Sequence, residues 1–189
     1  MKEKIHNIWK KLAPIHGVIY FVLILICCHF FWKFTVIGDE ENQIVTFFGV
    51  DISAPFIWMT HHITQVVSII LKDWFGLCVH LHANSILFHS GNGVQIVWSC
   101  AGLKQMYIFF CIIAFYAGSW KHKLWYIPAG LILIYIFNIF RITFITFMSN
   151  NHPDWIVFLH EYLFKYLFYG FIFLMWMLWE HKFAHKTKV

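Results

Sequence analysis

The sequence predicts an all-α membrane protein of about four transmembrane helices, with an amphipathic interfacial or re-entrant helix and a short outer-face β-hairpin. Three observations carry that prediction. The 189 residues are 60% hydrophobic and 21% aromatic, with a mean hydropathy of +0.66, where soluble domains are about half apolar. Four runs reach the length of about twenty mostly apolar residues that carries a helix across a hydrocarbon core. Charged residues make up only 12%, and the net charge of +5 comes largely from lysines at the two ends and at one central segment. Such clustering is a topology signal and not a nucleic-acid footprint, so no nucleic-acid partner is expected. The whole chain, 1–189, reads as a single integral membrane domain without repeats.

The spans fall at about 15–37, 100–118, 125–147 and 155–179. The first follows Lys2, Lys4, Lys10 and Lys11, as the apolar core of a signal peptide would, but no small-residue cleavage site comes after it. It reads as an uncleaved anchor. A fifth run, about 52–72, differs: Thr60, Thr64, Ser68 and Lys72 recur every fourth residue, with His61 and Gln65 on the adjoining row. That spacing draws one polar stripe along a helix.

Charge assigns the sides. The N-terminus, the Lys121-His122-Lys123 segment and the tail of Lys182, Lys186 and Lys188 are basic, and the positive-inside rule puts all three in the cytoplasm. Asp39, Glu40, Glu41 and the lysine-free stretch from Ser149 to Asp154 then lie outside. An even number of crossings must separate the N-terminus from Lys121, so only two of three candidate runs cross. The striped helix lies in the outer interface or re-enters. Within about 77–99, Val79, Leu81 and Ala83 alternate with polar residues, as do Val94, Ile96 and Trp98, around Gly91-Asn92-Gly93. This predicts the outer hairpin. The expected location is the cell inner membrane, multi-pass, with both termini cytoplasmic.

This topology brings three reactive side chains to one depth near the outer face. Cys100 opens the second span, Arg141 lies less than two turns below the outer end of the third, and His160 is about one turn into the fourth. A thiol at a helix start is favoured as thiolate by unpaired amides and the dipole. An arginine stays protonated in an apolar site and can hold an oxyanion or carboxylate. An imidazole can pass a proton from thiol to leaving amine, with Glu161 fixing its orientation. Asn138, one helical turn before Arg141, is placed to brace the guanidinium or add a hydrogen bond. Ser99 and Gly102 flank the thiol.

Each residue also has a plainer reading. A boundary cysteine is commonly a small buried residue, and Cys78 can be drawn as its disulfide partner. Five cysteines, with Cys27 and Cys28 inside the first span, do not make a disulfide framework. His160 is one of thirteen histidines, and Arg141 can serve as a structural partner of Glu161. His61-His62 and His80-x-His82 invite a metal reading, but adjacent histidines diverge on a helix and no acid or cysteine completes a site, so no metal is expected. A transverse haem needs histidines facing across spans, and only His29 and His160 lie in apolar runs. No cofactor is expected.

Ser99-Cys100-Ala101-Gly102-Leu103, Asn138-Ile139-Phe140-Arg141-Ile142 and His160-Glu161, in that order and each at the edge of a span, resemble the exosortase and archaeosortase family of membrane transpeptidases. The resemblance covers roughly residues 91–179, in a chain with fewer spans than the eight-helix members. It implies a membrane-embedded cysteine protease or transpeptidase with Cys100 as nucleophile and Arg141 and His160 as the other catalytic residues. The implied partners are exported proteins with a C-terminal transmembrane sorting signal, together with a lipid or glycan acceptor. The striped helix and the outer hairpin are expected to roof the site and restrict water. Two other classes fit the same residues: a non-catalytic membrane protein that holds a lipid or partner helix in this outer-face cavity, and a small transporter or redox protein built on the histidines.

Overall fold

A computed structural model describes residues 16–184; the basic N-terminal lysines and the tail lysines Lys186 and Lys188 lie outside the described residues. The order is α1 (His16–Thr35), β1 (Val36–Asp39), β2 (Ile44–Phe47), β3 (Val50–Asp51), α2 (Ser53–Asp73), β4 (Val79–His82), β5 (Ser85–Phe88), β6 (Gly93–Gln95), a 3₁₀ turn (Trp98–Cys100), α3 (Leu103–Phe115) and α4 (Trp120–Asn151). A second 3₁₀ turn (Pro153–Trp155) and a π-helical stretch (Phe158–Leu163) lead into α5 (Phe164–Trp179), which ends in a further π turn (Glu180–Ala184).

Among the described residues, four helices are long and apolar enough to cross a membrane: α1, α2, α4 and the continuous Pro153–Ala184 segment. The set differs from the expected one in a single member. The run predicted at 100–118 forms only the thirteen residues of α3, roughly 20 Å at 1.5 Å per residue. The striped run forms the twenty-one-residue α2. α3 begins late because Gly102, directly before it, takes φ 81°, a left-handed conformation that ends helical continuity and that glycine adopts without penalty. A short helix suffices here because Ile108, Phe109, Ile112 and Ile113 are fully enclosed by the other helices rather than by lipid. Gly130 of α4 makes that enclosure possible, since any side chain there would collide with the Phe109 ring.

At one end of the bundle the basic Lys121-His122-Lys123 segment is the first turn of α4 rather than a loop. Lys123 is buried, and its Nζ donates to the carbonyls of Ala114 at 2.8 Å and Tyr116 at 2.7 Å. It thereby satisfies orphan acceptors at the end of α3. Trp179 Nε1 donates to Ala117 O at 3.0 Å and ties α5 to the same link.

The other end carries two antiparallel three-stranded sheets, β1-β2-β3 and β4-β5-β6. The first was not predicted. Its β1–β2 turn is held by the Asp39 carboxylate, which accepts from Glu41 N at 2.9 Å and from Asn42 Nδ2 at 2.6 Å, keeping that exposed carboxyl below its ordinary range. The second enlarges the expected hairpin by a strand: the chain reverses at Ala83, φ 53°, and again around Gly91, with β5 between. Ser90 Oγ and Asn92 Nδ2 bond Asn150, the former at 3.1 Å, fastening this sheet to the end of α4.

The hydroxyl residues of the α2 stripe face the protein, whereas Lys72, His61 and Gln65 are exposed. Thr60, Thr64 and Ser68 are buried, and each hydroxyl donates to a carbonyl of its own helix, at 2.9, 2.7 and 2.8 Å. Ile63, Val67 and Leu71 of the same helix pack on Val79, Ile86 and Ile142.

Candidate active site

Cys100 is the last residue of the 3₁₀ turn, three positions before α3, so its thiol precedes the helix rather than opening it. Its Sγ lies 3.1 Å from His160 Nε2. His160 Nδ1 lies 3.1 Å from Glu161 Oε1. A carboxylate only accepts, so Nδ1 carries the hydrogen and Nε2 is left to accept from the thiol. Both contacts start from the π-helical stretch, whose wider turn swings neighbouring residues through a smaller angle than an α turn and lets Glu161 reach the ring beside it.

Arg141 is buried, with its Nε unpaired among the described residues, and stands close enough to the Cys100 sulfur for their charges to interact. It sits ten residues before the end of α4, roughly 15 Å or nearly three turns. The expectation of less than two turns is corrected because α4 continues past 147 to Asn151. Burial works against ionisation of Cys100. The hydrogen bond and charge of His160, the charge of Arg141 and the bond from Ser99 outweigh it, and the thiol falls below its usual range.

Asn138 does not brace Arg141. Its Nδ2 donates to the carbonyl of Cys100 at 3.1 Å, pinning the turn from α4. Gly102 is required twice over: by its positive φ, and because a Cβ there would stand 3.0 Å from the Asn138 amide. Cys78 is exposed, and none of the five cysteines forms a disulfide, so the alternative of a Cys78–Cys100 bridge is corrected and the thiol is free. The Asn138-to-Cys100 bond and the Cys100–His160 contact join the three segments of chain whose sequence carried the resemblance.

The family model for transmembrane exosortases (Exosortase_EpsH) matches residues 42–182. The chain belongs to the transmembrane exosortase family. No curated protein and no solved structure matches it. Family membership, with the apolar helices, makes it a multi-pass membrane protein and suggests a membrane transpeptidase or protease.

In this exosortase two cavities meet at the Cys100–His160 pair. One, of about 370 Å³, lies under the sheets and is lined by Glu40 from the β1–β2 turn, by Val94 to Val97, and by Arg141, Ile145 and Ile156. The other, of about 320 Å³, opens between helices and is lined by His29, Lys104, Gln105, Lys165 and Tyr169 together with Cys100, Arg141 and His160. No residue of α2 lines either cavity, so the roof comes from the sheets and not from the polar stripe. His61 is exposed, and His62 stacks between Trp58 and Tyr135. His29 Nδ1 meets the Tyr169 hydroxyl at 3.4 Å.

Sequence reasoning missed Lys104, Lys165 and Glu40. A signal existed for the two lysines: on the four-span reading both fall on the side where the positive-inside rule disfavours them.

A third hollow, of about 730 Å³, is an apolar trough on the outer surface of α4 and α5, running from Phe158 to Leu174 past Gly170.

Proposed function

We propose that this exosortase is a membrane-embedded cysteine transpeptidase that cleaves the C-terminal sorting signal of exported proteins and passes the new C-terminus to a lipid or glycan acceptor. The observation that carries the reading is the 3.1 Å approach of Cys100 Sγ to His160 Nε2 beside buried Arg141. A thiol, its base and a fixed cation then share one cavity.

Cys100 gives its proton to His160, and the thiolate attacks the scissile carbonyl. The oxygen takes up the charge beside Arg141, whose unpaired Nε is a donor held ready for it. The C–N bond then breaks, a thioester remains on Cys100, and His160 returns the proton to the departing amine. An acceptor amine or hydroxyl next attacks the thioester, its proton passing to His160, and the C–S bond breaks to restore the thiol. Glu161 holds the imidazole in the tautomer that both half-reactions use.

The same geometry supports a reading of substrate and sidedness. The sheets before and after α2 line one cavity through Glu40 and Val94, which supports an α2 that enters and leaves on one side and an α3 that crosses. With the basic first turn of α4 inside, the site opens at the outer face. The apolar trough spans the seventeen residues from Phe158 to Leu174, roughly 24 Å of helix, beside the turn that carries His160. It suits the transmembrane helix of the sorting signal, with the cleaved bond reaching the cavity under the sheets.

Cys100→Ala is the test, scored by processing of a co-expressed exported protein bearing such a signal. Loss of processing with normal membrane levels of the variant is expected. Full processing would transfer the protein to the class of non-catalytic binding or assembly proteins.

A further inference from the structure

The cavity between the helices is more basic than catalysis requires. Lys104 of α3, Lys165 of α5 and Arg141 of α4 all line it. Lys33 of α1 lines a neighbouring hollow with Lys104 and lies within repulsive range of it, as does Lys165. Against these four cations the wall of the basic cavity carries one carboxylate, Glu161, which is engaged at His160 Nδ1 at 3.1 Å. Three of these cations are lysines on the side where membrane proteins have few. Cations gathered without partners in an apolar setting are unfavourable until an anion joins them.

The same cavity opens toward lipid. α1 and α5 touch where Phe21 meets Phe173 and Trp176, at ring separations of 5.3 and 4.7 Å. Toward the sheet end a furrow of about 230 Å³ separates them, walled by Leu25, Ile26 and Phe30 and sharing His29, Lys165 and Tyr169 with the basic cavity. A charged chamber therefore continues into an apolar channel that faces the bilayer. That sequence of surfaces complements an amphiphile with a phosphate at its head and hydrocarbon behind it.

We propose that this cavity is the seat of a phosphate-bearing membrane lipid, with Lys104 and Lys165 on the phosphate and the Leu25, Ile26 and Phe30 furrow on the chain. The headgroup then lies beside the Cys100 thiol, on the opposite side from the cavity under the sheets. Its role as acceptor rests on the transpeptidase reading, whereas the binding does not. Charge recognises the lipid here, and the thiol takes no part in holding it.

The test titrates the full chain in dodecylmaltoside micelles with dioctanoyl phosphatidic acid, with dioctanoylglycerol and with inorganic phosphate, binding being read by thermophoresis. Phosphatidic acid is expected to bind saturably and roughly tenfold or more tighter than dioctanoylglycerol. Lys104→Gln with Lys165→Gln should remove that advantage, and Lys104→Arg with Lys165→Arg should keep it. Inorganic phosphate binding as tightly as phosphatidic acid would overturn the lipid. Equal binding of the two lipids by the native chain, or an unchanged Gln pair, would overturn the phosphate seat. Binding and processing are read independently, so the two proposals fail separately. Processing by Cys100→Ala removes the catalytic reading and leaves the lipid seat, while absence of binding removes the seat and leaves the chemistry of Cys100.

Discussion

Cys100 Sγ and His160 Nε2 meet at 3.1 Å across sixty residues of chain. The contact, with Arg141 and Ser99, holds the thiol below its usual range although burial opposes ionisation. As pH falls through that lowered value the thiolate is protonated and its reactivity is lost. In His160→Ala the loss should begin at a higher pH, because the group favouring the thiolate is gone. The alkylation rate of Cys100 by a membrane-impermeant maleimide, followed against pH in a background lacking Cys78, measures this. Superimposable profiles for the two proteins would disconnect the imidazole from the thiol.

Gly102 and Asn138 set the turn that presents the nucleophile. Gly102→Ala puts a side chain at φ 81° against the Asn138 amide and should cost about 1–2 kcal/mol from the backbone alone. Asn138→Ala leaves the buried carbonyl of Cys100 without its donor, a loss of about 1–3 kcal/mol. Both act on one contact, so the double variant should lose less than the sum. Thermal unfolding in detergent gives the three values, and strict additivity would refute a shared contact.

Much of this was legible in the sequence, for physical reasons that differ by element. Arg141 stood out because an arginine in an apolar run is costly, and Cys100 and His160 joined it because span boundaries put them at one depth. Long apolar runs marked α1, α4 and the continuous Pro153–Ala184 segment to within about five residues, since hydropathy averages over many positions. The β1–β2–β3 sheet escaped because its strands are two to four residues long, too short for alternation to register, although Asp39 to Gln43 reads afterwards as a turn. The reach of Asn138 also stayed hidden. A helical pattern tells which residues share a face but not which neighbouring segment that face meets.

The two sheets flanking α2 line one cavity, so residues on either side of that helix should be reachable from one side of the membrane. Glu41→Cys and His89→Cys, made singly in a background lacking Cys78 and Cys100, should both be labelled from outside intact cells. Labelling of one from outside and the other only after permeabilisation would make α2 a crossing helix.

Gly170 sits in the apolar trough with open space where a side chain would begin. Gly170→Trp should therefore fold normally yet fill the seat assigned to the signal helix, and processing should fall roughly tenfold, the scale of losing a well-packed helix contact. Unchanged processing at equal expression would empty the trough of that role.

The π-helical stretch from Phe158 to Leu163 has a meaning in residue number as well as in geometry. Such a turn holds one residue more than a regular helix needs. Removing one residue between Glu161 and Phe164 would let the backbone relax to an ordinary helix, and the aromatic face of α5 would stay in register with its neighbours. His160, upstream of the deletion, would be turned by about 100° about the axis. The direction of the imidazole is thus written into the length of the chain, and a deletion there can silence the site while every side chain that builds it is still present.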